Sequence, residues 1–128
     1  MTTYRDRALQ AAKSAKAMQQ DGDHSGACNR AYFAVFYAAT GLLVQVGEEQ
    51  AGKTHASLLR KFSERFVLTS RAPREVGRAM TLTQHLRSKA DYLIEGATAE
   101  DANEAIASMD VFLKFALPLL EQANEEEL

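Results

Sequence analysis

A chain of 128 residues and 14.1 kDa has room for one domain. Hydrophobic residues make up 46% and charged residues 25%, which excludes a disordered tail, and the single cysteine, Cys28, excludes an internal disulfide framework and a multi-cysteine zinc site. The net charge of -2 hides an asymmetry, because residues 53–89 carry a net +7 and residues 90–128 a net -9, a layout that suits either an anionic partner or pairing of the two segments with each other.

Glycine and proline are scarce, at 7 and 2 residues, so a helical fold is expected throughout. The first helix is expected over Tyr4–Gln20, with Thr3 as cap and Asp6 three residues on. Tyr4, Ala8, Ala11, Ala12, Ala15 and Met18 form its narrow apolar face, and Asp21-Gly22-Asp23 breaks it. The second helix, about Gly26 to Val46, is apolar nearly all round and should lie at the centre, with Phe36 in the core. Its polar members Asn29, Arg30, Tyr32, Tyr37 and Thr40 then need partners or an opening to solvent. Thr54 caps a third, short helix to about Phe66, and Pro73 suits the first turn of a fourth that faces inward with Val76, Ala79, Met80, Thr83, Leu86 and Ala90. Thr98, with Asp101 three residues on, caps the last helix, whose stripe runs from Ala102 to Leu120 and which Pro118 should kink or end. Glu125–Glu127 is expected to fray in solvent. The sum is an all-α, up-and-down bundle of four main helices plus a short extra one, a single domain over residues 1–128 with its core at about 4–121.

No secretory signal pattern follows Met1, and the longest apolar run, Ala31–Ala39, is far short of the ~20 residues of a membrane span, so a cytoplasmic protein without membrane contact is expected. No phosphate-binding loop, dinucleotide fingerprint or paired-histidine metal motif is present, and no cofactor or metal is expected. Two segments stand out. One is Asn29 to Ala39, Asn-Arg-Ala-Tyr-Phe-Ala-Val-Phe-Tyr-Ala-Ala, followed by Lys53-Thr54-His55. The other is Leu86 to Tyr92, Leu-Arg-Ser-Lys-Ala-Asp-Tyr, in which Arg87 and Asp91 share one helical face and can form an ion pair. An arginine there suits phosphate, since the guanidinium fork matches phosphate oxygens.

In the order and spacing of these segments, over roughly Gly22 to Leu120, the chain resembles the HEPN family of small helical bundles. The resemblance implies a HEPN-like bundle and a homodimer in which two active-site arginines meet. It also implies a toxin-like role beside a nucleotidyltransferase-fold (MNT) antitoxin, with binding and cleavage of RNA at the dimer cleft without a metal. The family pattern is an arginine, a polar residue and a histidine four to six residues on. Arg87 and Ser88 match, whereas Asp91 or Tyr92 stands where histidine belongs. Arg78 with His85 fits the spacing in another frame, but Ala79 is not polar. The resemblance thus gives Arg87, Asp91 and Tyr92 as catalytic candidates and Asn29, Tyr32, Tyr37, Lys53 and His55 as substrate-binding ones, with RNA or a nucleotide as ligand. Tyr92 is also placed to accept a nucleotide from the MNT partner. The alternative is a non-catalytic nucleotide-binding or interaction subunit for a nucleotidyltransferase.

Overall fold

Two threonine capping boxes fix two of the helix starts. Thr3 Oγ1 accepts from the Asp6 amide while Asp6 accepts from the Thr3 amide, and Thr98 and Asp101 repeat the arrangement. Thr54 Oγ1 accepts from Ser57 N, and Asp23 Oδ1 from Gly26 N. From these caps the computed structural model, which describes residues 2–48, 50–51 and 53–127 and side chains as far as Glu121, builds five α-helices. They are α1 (Tyr4–Gln20), α2 (His24–Gln45), α3 (His55–Phe62), α4 (Arg74–Tyr92) and α5 (Ala99–Glu127). No strand occurs among the described residues, and the fold is an all-α bundle. The Glu125–Glu127 side chains lie outside the described set. Among the described residues, no helix is long and apolar enough to cross a membrane.

The central helix packs on small side chains. Ala27, Cys28, Ala31, Ala34, Val35, Ala38 and Ala39 are all fully buried, and α1, α3, α4 and α5 each touch α2. Gly41 continues that close approach, since a Cβ there would sit 2.9 Å from Tyr4 Cβ and 2.8 Å from a Leu120 methyl. The three-residue turn Asp21–Asp23, with Gly22 at φ +81, reverses the chain between α1 and α2. On α5, Met109, Phe112 and Ala116 are fully buried, and Phe62 of α3 meets Phe112 with ring centroids 5.2 Å apart.

Four details depart from the expectations. The central helix begins at His24, because Asp23 supplies the cap. The third helix stays α-helical only to Phe62 and then widens into a π turn over Ser63–Val67, closed by the Leu68 amide on Ser63 O. The wider turn lines up residues four apart, so Phe62 and Phe66 stack at 4.9 Å and are both buried. Pro118 does not end α5. Pro118 and Lys114 are both exposed, so the carbonyl left without an amide partner can be met by water. Finally, Phe36 is only partly buried, and the core side of α2 is made by alanines instead.

Candidate functional site

At 100° per residue, the alanine face of α2 leaves Asn29, Arg30, Phe33, Phe36 and Tyr37 on the opposite side, with Tyr32 at the edge. Those four aromatic side chains touch in series. Tyr32 meets Phe33 at 5.4 Å, Phe33 meets Phe36 at 5.9 Å, and Phe36 meets Tyr37 at 5.9 Å between centroids. Tyr32 is buried, and the other three form a half-buried shelf.

Two helices deliver polar groups onto this shelf. From α4, Arg87 lies with Cζ 5.5 Å from the Tyr32 ring centroid and 5.6 Å from that of Phe33. Its Nε is 2.9 Å from Asp91 Oδ2, but off the hydrogen-bonding direction, so the contact is an ion pair with no aligned acceptor. The terminal nitrogens of Arg87 have no hydrogen-bond partner among the described residues and stay free for an anion. Asn29 Nδ2 donates to the same Asp91 Oδ2 over 3.4 Å, while Asn29 Oδ1 accepts from Arg30 Nε and Nη2 at 3.1 and 2.9 Å. Arg30 in turn lies 4.8 Å over Phe33. A chain of contacts thus links Arg30, Asn29, Asp91 and Arg87 along the shelf.

From the start of α3 comes His55. Its ring stacks on Tyr32 at 5.3 Å, tilts against Phe36 at 5.0 Å and meets the edge of Phe33 at 6.1 Å. Its Nδ1 shares a hydrogen bond with Tyr32 Oη. Burial, and then the nearby Arg87 charge, lower the His55 pKa below its ordinary 6.5. Burial pushes the Tyr32 phenol up to about 12, against a smaller opposing pull from Arg87. At neutral pH the pair is therefore a neutral imidazole bonded to a neutral phenol beside a guanidinium.

Of the expected site residues, Asn29, Tyr32, His55, Arg87 and Asp91 come together. Tyr37 sits at the far end of the shelf, under Arg7 at 5.2 Å, in a separate polar cavity of about 420 Å³ that Arg30 also lines. Lys53 is exposed and has no ion-pair partner among the described residues. Tyr92, the last residue of α4, is 75% exposed and makes no hydrogen bond or ring contact with these groups. Arg30 and the two phenylalanines, Phe33 and Phe36, belong to the site, although Phe36 is expected in the core and Phe33 is not singled out. The legible signal was the helical wheel, on which both fall beside Asn29 and away from the alanines.

Arg78 and His85 line a different cavity, of about 670 Å³, floored by Phe62 and Met80 and walled by Leu59, Val67 and Leu82, with Arg74 on its rim. The basic segment is only partly neutralised. Lys61 and Arg65 pair with Glu48, Lys89 pairs with Asp101 at 2.8 Å, and Arg87 faces Asp91. Arg60, Arg71, Arg74 and Arg78 are exposed and have no acidic partner among the described residues. Cys28 is sealed in the core with its thiol pushed up to about 11 by burial, which makes it a packing residue.

Residues 1–123 match the HEPN domain. The chain belongs to the HEPN family. Among its relatives, a protein of Methanocaldococcus jannaschii named "Putative toxin MJ0605" is 31% identical over 100 residues, covering 78% of this chain and 73% of the relative. A protein of Gloeobacter violaceus named "UPF0332 protein glr0978" is 27% identical over 121 residues, covering 91% of this chain and 93% of the relative. The HEPN match embraces every residue of the shelf, of the arginine–aspartate pair and of the His55 contact.

Proposed function

We propose that this HEPN protein is the toxin-like member of a toxin–antitoxin-type pair and that it binds RNA at the Arg87 cleft. The observation that carries the reading is the open end of the Arg87 guanidinium over the aromatic shelf. A guanidinium suits a phosphodiester, and half-buried rings beside it suit an unstacked base. The toxin name of the archaeal relative supports the biological role. In the same reading the protein is a cytoplasmic homodimer whose antitoxin is an MNT nucleotidyltransferase. Tyr92, Leu93 and Ile94, exposed by 75%, 55% and 105% just beyond Asp91, supply apolar surface for a second copy. The exposure of Tyr92 also suits a nucleotide acceptor that a partner enzyme can reach.

Binding of a labelled single-stranded RNA, followed by fluorescence anisotropy, tests this. Affinity is expected to fall steeply between low and physiological salt, with a log–log slope of about -0.7 per phosphate contacted. Absence of binding, or affinity indifferent to salt, contradicts the proposal.

One observation favours the alternative of an interaction subunit. The 670 Å³ trough has an apolar floor with Arg74 and Arg78 on its rim, a surface suited to an acidic amphipathic segment of a partner protein. The two surfaces lie on different faces of α4, so both can serve one protein.

A further inference from the structure

Resting on the reading of the Arg87 cleft as an RNA site, we infer that His55 takes the 2′-hydroxyl proton in RNA cleavage there and that Tyr32 positions it. The helix that carries Arg87 has no suitable base of its own facing the shelf. Asp91 is occupied, its Oδ2 held between Arg87 and Asn29. Tyr92 points into solvent, and His85 lies on the outer face of α4 in the other cavity. The imidazole that does reach the cleft arrives from α3 and packs on the same Tyr32 and Phe33 rings that carry Arg87, close enough for the Arg87 charge to act on it.

Its surroundings fix what it can do. Contacts with Tyr32, Phe36 and Phe33 hold the ring plane, and Tyr32 Oη occupies Nδ1. Nε2 has no hydrogen-bond partner among the described residues and is not one of the sealed polar atoms, so it faces solvent or ligand. In the base form Nδ1–H donates to the neutral phenol and the Nε2 lone pair points outward. Tyr32 also steadies the imidazolium that forms once Nε2 is protonated.

In the step, His55 Nε2 removes the proton from the 2′-hydroxyl. The 2′-oxygen bonds to the adjacent phosphorus and the bond from phosphorus to the 5′-oxygen breaks. Arg87 holds the non-bridging oxygens as their charge grows. Water protonates the departing 5′-oxygen, and the hydroxide left takes the proton from His55. The products are a 2′,3′-cyclic phosphate and a 5′-hydroxyl, with no oxidant or reductant consumed. The groups facing His55 are Tyr32 from α2 and Arg87, backed by Asp91, from α4; the first turn of α3 itself carries no acidic residue. With its pKa below 6.5, His55 is the free base at neutral pH, so kcat should rise with pH through a limb centred below 6.5 and level off above it.

The test uses the full chain, a labelled single-stranded RNA and its uncleavable 2′-O-methyl form. His55→Gln is expected to lower kcat by about 100-fold or more and to abolish the acid limb, while binding of the 2′-O-methyl RNA changes by less than about threefold. Tyr32→Phe is expected to lower kcat and shift the limb with KM little changed. In the wild type, nitrogen NMR should show His55 titrating below 6.5 and its Nε2 resonance moving when the 2′-O-methyl RNA binds. Unchanged kcat in His55→Gln, or an Nε2 resonance indifferent to RNA, overturns the inference. RNA that is bound through Arg87 yet never cut overturns it too and leaves the binding reading standing. RNA that is not bound at all overturns both.

Discussion

Arg87→Ala is expected to weaken binding of single-stranded RNA by about 10- to 100-fold, the loss of one charge-assisted contact worth about 1.5–3 kcal/mol. The side chain is 22% exposed, and its ion pair to Asp91, the one it makes among the described residues, is poorly aligned. Such a pair contributes about 0.5 kcal/mol, and the contacts over Tyr32 and Phe33 about 0.5–1 kcal/mol each, so the variant should still fold, melting modestly below the wild type. A loss of binding can therefore be read as a loss of contact with the ligand. Arg87→Lys should recover part of the attraction but not the fork geometry. Growth on induction offers the cellular counterpart: arrest by the wild type and growth with Arg87→Ala. An Arg87→Ala protein that binds RNA as tightly as the wild type contradicts the assignment of the cleft.

Phe112→Ala is expected to cost about 3–5 kcal/mol, a large share of the roughly 5–15 kcal/mol that holds a domain together. The Phe112 ring is completely buried and meets Phe62, which in turn stacks on Phe66 in the π turn. Removing it leaves a cavity between α5 and α3 that these rings, pinned on both sides, cannot close. The effect reaches the site because α3 also carries His55, so the variant should lose order at the shelf as well as stability. Urea denaturation gives the number. Leu119→Ala, at a side chain 36% exposed, is the control and should change stability by less than about 1 kcal/mol. A Phe112→Ala loss as small as that of Leu119→Ala places the core elsewhere.

The helices and caps were legible in the sequence because they rest on local rules. Thr3 with Asp6 and Thr98 with Asp101 announce helix starts through three-residue spacing alone, and the alanine periodicity of α1 announces its buried face. The π turn was not legible, since it comes from stacking Phe62 and Phe66 against Phe112 on a distant helix. Nor was the passage of α5 through Pro118, which depends on that side of the helix facing water. At the site, Arg87 and Asp91 could be paired from their spacing, but the partnership of His55 with Tyr32 spans 23 residues and two helices. Tyr32 and Tyr37 stood out as polar members of an apolar helix, whereas the apolar run favoured Phe36 as core; its position opposite the alanines, beside Asn29 and Arg30, is what separates it.

The most direct measurement is a residue-by-residue NMR map of the protein titrated with a short single-stranded RNA. The largest shifts should fall on Arg87 Nε, the Asn29 side-chain amide, and the rings of Tyr32, Phe33 and His55, and should fade as salt is raised. Shifts gathered instead on Arg74, Arg78, Leu82 and His85, with the shelf unmoved, would contradict the Arg87 cleft as the RNA site.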